Sequence, residues 1–165
     1  PVGKVYAYQP AEFIGFRAQY GVDQKAVADA YANITPLNGS LTALAFPEPV
    51  DMIFTAQNYH DLHLAAFPAG LADTVNAALF KALKPGGVLL VIDHAAVAGS
   101  GSRDSNALHR IDPATVRAEV ERAGFKFEAE SPLLRNPDDP HTLLVFDPAI
   151  RGKTDQFIYR FRKPR

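Results

Sequence analysis

Four polar residues in succession, Asn58, Tyr59, His60 and Asp61, follow the apolar run 50–54 and have side chains that can do chemistry. His60 or Asp61 could remove a proton from a substrate hydroxyl or amine, while Asn58 and Tyr59 shape the pocket around that atom. The same residues would also suit the entrance to a helix, with Asp61 as its cap and His60 hydrogen-bonded internally. We predict that His60 and Asp61 are catalytic.

A second polar pair, Asp93 and His94, ends the apolar run 88–92. Together with His60, Asp61 and His63, this pair could offer oxygen and nitrogen ligands to a metal ion. The spacing does not single out a metal, because His63 could equally point to solvent and Asp93 could cap a turn. We therefore expect no metal ligands in this chain.

Two other kinds of site find little support. The sequence has no cysteine, which excludes a disulfide scaffold, a thiolate-bound zinc and a thiol nucleophile. The glycine and serine residues at 99–102 could imitate a phosphate-binding loop, but the lysine and the strand-to-helix spacing of a P-loop are missing. We expect a flexible lid at 99–102.

Charged residues elsewhere could meet a substrate. His109 and Arg110 lie just before a predicted helix, and we favour a surface position for both. Arg151, Lys153 and Asp155 lie in a long, turn-rich excursion, where they could bind an anionic substrate or lock the loop internally. We favour the internal lock.

The elements that must position these residues follow from periodicity and from turn residues. Strands are predicted at 5–8, 37–44, 50–54, 88–92, 125–130 and 157–162. Helices are predicted from Asp23 to Ile34, from Pro68 to the stop at 84–87, and from Pro113 to a stop before Gly124. Asp23 and Asp112 suit N-cap positions, and Pro36 is expected to end the first helix. The unbroken apolar run 88–92 predicts a central parallel strand that is covered on both faces.

Composition indicates one ordinary domain spanning residues 1–165. The chain is 47% hydrophobic, and its 17 basic and 18 acidic residues leave a net charge of −1. No basic block appears before the tail at 161–165, so we expect no nucleic-acid partner. We expect no membrane partner either, because no run of about 18 apolar residues is present. No signal peptide or initiator methionine begins the sequence, so the start looks cut; the cytoplasm is the favoured location.

Strands that alternate with helices and finish antiparallel predict an α/β fold with an open, doubly wound sheet. In such sheets ligands bind at the carboxyl ends of the strands. The segment 51–93, which includes Leu-Lys-Pro-Gly-Gly at 83–87, resembles the fourth and fifth strands of class I S-adenosylmethionine-dependent methyltransferases. The segments 3–8, 123–125 and 156–164 resemble that family's second strand, its sixth-strand junction and its antiparallel seventh strand. The strings at 58–61, 108–112 and 151–155 resemble a bacterial branch of predicted methyltransferases.

The resemblance implies a Rossmann-like, mostly parallel sheet with an antiparallel C-terminal strand, in which the first strand, the first helix and the glycine-rich loop are missing. It also implies S-adenosylmethionine as cofactor. The residues that it places at the cofactor are Gln9, Ser40, Leu41, Asn58 and Tyr59. Gln9 stands where the family usually has an acidic residue, with Glu12 three residues on, and a simple turn is an equal alternative at Ser40 and Leu41.

We therefore expect the intact protein to transfer a methyl group to a small molecule. The alternative is a non-catalytic or truncated module that binds a partner or completes its sheet in a homo-oligomer, because a missing central strand would expose edges. A nicotinamide-dependent oxidoreductase is a third possibility, but the antiparallel finish fits it less well.

Overall fold

Strands and helices alternate along the chain. The structure is a computed structural model, and it describes residues 3–165. The strands are β1 (Val5–Pro10), β2 (Ile34–Gly39), β3 (Val50–Ala56), β4 (Leu83–His94), β5 (Lys126–Ser131) and β6 (Gln156–Arg162), and the helices are α1 (Ala11–Phe16), α2 (Gln19–Ala30), α3 (Leu71–Ala82), α4 (Ser105–Leu108) and α5 (Pro113–Arg122). Short 3₁₀ turns occupy Leu41–Ala43 and His60–His63. The elements divide into two compact units, Pro1–Glu48 and Pro49–Arg165.

The first unit contains a two-stranded parallel sheet of β1 and β2. The predicted helix is wrong at both ends, because α2 begins at Gln19 and Ile34 belongs to β2. The predicted strand 37–44 is also misplaced, because β2 begins at Ile34 and ends at Gly39. Pro36, which was expected to end a helix, pairs with Ala7 within the sheet. A proline is tolerated there because β2 is an edge strand and has no ladder partner on its other side among the described residues.

Burial in the first unit is sparse. Among its described residues only Leu41 is fully buried, at 5% exposure. Val27 and Tyr31, which were expected on the apolar face of the helix, are 47% and 56% exposed. The predicted apolar face of α2 is therefore not covered within this unit.

The second unit contains a four-stranded sheet in the order β3-β4-β6-β5. β3 and β4 are parallel, and β6 runs antiparallel to both of its neighbours. This confirms the mixed α/β sheet and the antiparallel C-terminal strand that the sequence predicts. Among the described residues, hydrogen bonds join the strands within two sheets, one in each unit, where one open sheet was expected.

One face of the second sheet carries the core. Leu89 and Val91 of β4 are buried completely, as are Val116 and Val120 of α5. On the opposite face Phe54 of β3 is 59% exposed, and the residues of β4 that point the same way are only half-buried. Within this unit the prediction that β4 is covered on both faces is therefore wrong, because the helices of the unit bury only one face.

Local sequence signals explain where most elements of this unit begin and end. Asp112 caps α5 by accepting a hydrogen bond from Ala114 N at 2.9 Å, as predicted. Helix α3 begins after Gly70, which has a φ of 79°, and not at Pro68. The residues 84–87 lie within β4, where a side chain on Gly87 would approach the Lys84 carbonyl oxygen to 2.9 Å. Only glycine fits at that bend.

Candidate active site

The candidate site lies at the carboxyl ends of β3 and β4. Because these strands are parallel, their ends meet at the same edge of the sheet. After β3 the chain is held to β4 by a hydrogen bond from Gln57 N to Ile92 O at 2.8 Å. The turn His60–His63 then carries His60 to Asp93, the residue that follows Ile92 in β4. Both His60 and Asp93 were candidates from the sequence pattern.

Asp93 fixes the position and the orientation of His60. The carboxylate is completely buried. One of its oxygens accepts a hydrogen bond from His60 N at 2.7 Å, and the other lies 2.8 Å from His60 Nδ1. His94 N donates a third hydrogen bond to it, at 2.7 Å. These three donors offset the cost of burying the carboxylate.

The other nitrogen of the His60 ring faces two further side chains. His60 Nε2 lies 3.1 Å from His109 Nδ1 and 3.2 Å from Asp61 Oδ1. His109 Nδ1 and Asp61 Oδ1 are 3.9 Å apart. We call these three residues the His60–Asp61–His109 cluster. His60 is buried, whereas the side chains of Asp61 and His109 are 16% and 30% exposed.

A surface position was favoured for His109, and the structure brings it to His60 instead. Residues 109–112 run beside the end of β4, because Ile111 N donates to His94 O and Ala96 N donates to Ile111 O. His109 has a left-handed backbone, with a φ of 54°, and its ring packs 5.1 Å from that of Phe146. This left-handed residue directly follows α4 and ends that short helix.

The local electrostatics differ among the three histidines at this edge. Burial lowers the pKa of His60, but hydrogen bonds to Asp61 and Asp93 outweigh burial and raise that pKa to about 9. Burial lowers the pKa of His94 to about 4 and also lowers that of His109. The carboxylates of Asp61 and Asp93 thus favour a proton or another cation at His60, whereas burial disfavours charge on His94 and His109.

Arg110 is completely buried, so the surface position expected for it is wrong. Its guanidinium donates to both oxygens of Asp139 at 2.8 and 3.0 Å. It also donates to the carbonyl oxygens of Ala95 and Leu143. A buried charge of this kind persists only when its partners satisfy it, as they do here.

The same ion pair anchors the excursion between β5 and β6. Asp139 also accepts a hydrogen bond from Asp155 N at 2.6 Å, and Asp155 in turn lies 2.9 Å from His141 Nε2. Asp155 thus takes part in an internal lock of the excursion. Arg151 and Lys153 are exposed.

The loop 99–102 is tied to the start of α5. Asp112 accepts a hydrogen bond from Gly99 N at 2.7 Å, and Asp112 N donates to Gly101 O at 3.0 Å. The flexible lid at 99–102 stays a prediction.

The predicted cofactor residues of the first unit surround the turn after β2. Ser40 Oγ donates to Glu12 at 2.5 Å, and Leu41 N donates to the same carboxylate at 3.0 Å. Gln9 lies near the end of β1, is half-buried, and accepts a hydrogen bond from Asn38 through its backbone oxygen. Glu12 therefore organises a turn at Ser40 and Leu41, whatever these residues bind.

The predicted cofactor residues of the second unit are in different environments. Asn58 is exposed, and its side chain accepts a hydrogen bond from the Thr55 hydroxyl. Tyr59 is 2% exposed, and its hydroxyl donates to Glu119 and accepts from Asn76. Burial raises the pKa of Tyr59 well above its usual value. The Tyr59 side chain is thus part of the core beneath the site.

Comparison with solved structures shows that the chain has the Rossmann-like fold seen in S-adenosylmethionine-dependent methyltransferases. It is similar to the N-methyltransferase NodS from Bradyrhizobium japonicum WM9, with 15% identity and a TM-score of 0.63 over 98% of this chain and 74% of that one. The glycopeptide N-methyltransferase MtfA in complex with S-adenosylmethionine is 13% identical, with a TM-score of 0.59 over 100% of this chain and 83% of that one. The [4+2]-cyclase SpnF is 13% identical, with a TM-score of 0.62 over 98% of this chain and 75% of that one.

No protein-family model and no curated protein sequence matches the chain. The shared fold alone does not decide the reaction, since one of the similar structures is a cyclase. In the part of the chain that the structure describes, no helix has the length and apolar character needed to cross a membrane.

Proposed function

We propose that the protein transfers a methyl group from S-adenosylmethionine to a small molecule. The observation that carries this proposal is the His60–Asp61–His109 cluster, which lies at the strand edge where ligands bind in sheets of this type. The fold shared with methyltransferase structures supports the same reaction. S-adenosylmethionine would supply an activated methyl group, and the chain would position the acceptor.

The cluster suggests a role for each catalytic residue. Both ring nitrogens of His60 are already engaged, one by Asp93 and the other by His109 and Asp61. His60 therefore acts by holding and orienting polar groups. The Asp61 carboxylate is more exposed than His60, and its second oxygen, Oδ2, is the proposed acceptor for the proton of the substrate group. Correct placement of the acceptor atom would supply most of the rate enhancement.

The cofactor contacts are proposed for each unit separately. In the first unit the Gln9 amide and the Glu12 carboxylate offer partners for ribose hydroxyls, and the turn at Ser40 and Leu41 is already ordered by Glu12. These groups fit a nucleoside. In the second unit Asn58 offers an exposed amide, and Tyr59 supports the site from the core.

Isothermal calorimetry on the protein tests this function. We expect heats of binding from both S-adenosylmethionine and its demethylated product, and no heat from nicotinamide dinucleotides. If neither S-adenosylmethionine nor its product binds, the proposed function is wrong. Binding of a nicotinamide dinucleotide alone would favour an oxidoreductase on a similar sheet.

A non-catalytic module that completes its sheet with another chain is the second candidate. Two observations favour it: the exposed apolar residues Met52 and Phe54 lie on the edge strand β3, and the first unit buries only Leu41 among its described residues. Light scattering after gel filtration separates the candidates. A clean monomer that melts cooperatively would count against completion by a partner.

A further inference from the structure

We propose that the His60–Asp61–His109 cluster binds a divalent first-row transition-metal ion such as Zn²⁺. His60 and Asp61 are consecutive and His109 is distant in sequence, but each directs one ligand atom to a common point, and all three atoms lie within 4.8 Å of one another. The sequence pattern did not single out a metal among the candidates His60, Asp61, His63, Asp93 and His94, and these candidates did not include His109. The structure brings His109 into the set.

The distances between the ligand atoms fit one coordination sphere. With bonds of about 2.1 Å, neighbouring ligand atoms lie about 3.0 Å apart in an octahedron and about 3.4 Å apart in a tetrahedron. His60 Nε2 is 3.1 Å from His109 Nδ1 and 3.2 Å from Asp61 Oδ1. The third separation, from His109 to Asp61, is 3.9 Å. A small rotation of the partly exposed Asp61 side chain would close this gap.

The residues around the cluster provide the support that metal-binding histidines usually have. His60 Nδ1 lies 2.8 Å from Asp93, so its other nitrogen, Nε2, is left to face the cluster. A carboxylate behind a histidine in this way fixes the ring and raises its basicity as a ligand. Asp93 is itself held by the backbone amides of His60 and His94. On the far side of the cluster, the Phe146 ring packs against His109.

The donor atoms indicate which metals would bind. Two imidazole nitrogens and one carboxylate oxygen suit zinc, iron, cobalt or nickel, whereas magnesium and calcium prefer oxygen ligands alone. The other candidate ligands of the sequence have separate partners. His63 lies 3.1 Å from Glu119, and His94 Nδ1 lies 2.7 Å from the Thr154 hydroxyl.

Three protein ligands leave coordination positions free, as in catalytic zinc sites. His109 and Asp61 are the exposed members of the cluster, so the free positions would face the open side of the site. If the proposed methyl transfer is correct, a bound cation would favour an acceptor that offers a hydroxyl or enol oxygen, because a cation lowers the pKa of such a group. The substrate class therefore rests on the proposed function, whereas the metal site does not.

Calorimetric titration with Zn²⁺, after the protein has been treated with a chelator, tests the site. Visible absorption of the Co²⁺-loaded protein reports the coordination geometry independently. We expect one ion per chain for the wild type, and an affinity that falls by at least about tenfold in His109→Ala and in Asp61→Asn. His63→Ala is the matched control, because it removes a neighbouring histidine outside the cluster, and it should bind like the wild type.

Zinc binding that is equal in the wild type and in His109→Ala, or absent from the wild type, would overturn the proposal. Asp61→Asn keeps the size of the side chain, so it provides a second reading if His109→Ala proves unstable. Titration with S-adenosylmethionine is carried out separately. Zinc binding without cofactor binding would contradict methyl transfer but support the metal site. Cofactor binding without zinc binding would support methyl transfer but overturn the metal site.

Discussion

Asp93 orders the candidate site although it does not belong to the cluster. If Asp93 positions the His60 ring, Asp93→Asn should weaken Zn²⁺ binding about 10–100-fold, because an amide has only one acceptor oxygen for the two nitrogens of His60 that the carboxylate contacts. Zinc calorimetry of the variant measures this. Asp73→Asn is the control, since Asp73 is an exposed carboxylate paired with Arg122. An unchanged affinity in Asp93→Asn would show that Asp93 does not position the ligand.

Tyr59 contributes to the core, and its hydroxyl can be tested by Tyr59→Phe. The change leaves the amide of Asn76, which is completely buried, without its acceptor. Asn76 Oδ1 already lacks a hydrogen-bond partner in the described structure. We expect the free energy of unfolding, measured by urea denaturation, to fall by about 1–3 kcal/mol. Tyr31→Phe, at an exposed tyrosine, should change little, and equal effects would contradict the assigned role.

At the scale of single residues, position relative to a strand end was predictable from sequence and three-dimensional partnership was not. His60, Asp61 and Asp93 follow apolar runs, so their place at the sheet edge could be predicted. His109 and Arg110 follow no predicted strand. His109 reaches the site, and Arg110 reaches Asp139, because residues 109–112 run beside the end of β4, a contact that no local pattern encodes.

Among the elements, α5 shows what local signals can determine. An aspartate cap, a proline at the first position and two valines on one face agree with one another, and the structure confirms the helix. The segment 19–39 shows the opposite case. Its apolar spacing extends the predicted helix to Ile34, but pairing with β1 takes Ile34 and Pro36 into a strand.

The excursion between β5 and β6 depends on the ion pair of Arg110 and Asp139. Both side chains are buried, so Arg110→Met should lower the free energy of unfolding by about 3–5 kcal/mol, because it leaves Asp139 without its cation. Urea denaturation measures the change, and limited proteolysis should cut faster within 132–155. Arg117→Met is the matched control, since its pair with Glu121 is exposed. A loss similar to that of the control would contradict the anchoring role.

The stability that the Arg110–Asp139 pair gives to the excursion depends on pH. Burial raises the pKa of Asp139, but hydrogen bonds from Arg110 and from the amides of His141 and Asp155 outweigh it and hold that pKa below its usual value. The charged and titratable groups that face Asp139 are Arg110, His94, His141 and Asp155. A lowered pKa means that Asp139 stabilises the fold above the pKa of the unfolded state and loses this effect as the pH falls through the folded pKa.

We therefore expect the difference in unfolding free energy between the wild type and Asp139→Asn to be largest at neutral pH. It should shrink as the pH falls below about 4, the usual pKa of an aspartate. Urea denaturation at a series of pH values measures this difference. A difference that stays constant down to pH 3 would show that the charge of Asp139 does not contribute.

At the scale of the whole molecule, the two units differ in how much they bury. In the second unit, helices and strands contribute completely buried residues such as Leu89, Val116, Phe157 and Phe161. In the described part of the first unit, Leu41 alone is fully buried, and no residue of α2 is. Since apolar burial is the main favourable term in folding, the units should differ in local stability.

Hydrogen exchange followed by mass spectrometry tests this difference. Amides of β1 and β2 should exchange faster than those of β4 and β6, because opening the first unit exposes little apolar surface. The β4 and β6 amides serve as the internal reference, since these strands pair with each other and Leu89, Val91 and Phe157 are completely buried. If both units exchange at the same slow rate, something beyond the described burial stabilises the first unit. Cofactor binding would be one such source: protection of β1 and β2 that rises when S-adenosylmethionine is added would support the proposed contacts at Gln9, Ser40 and Leu41.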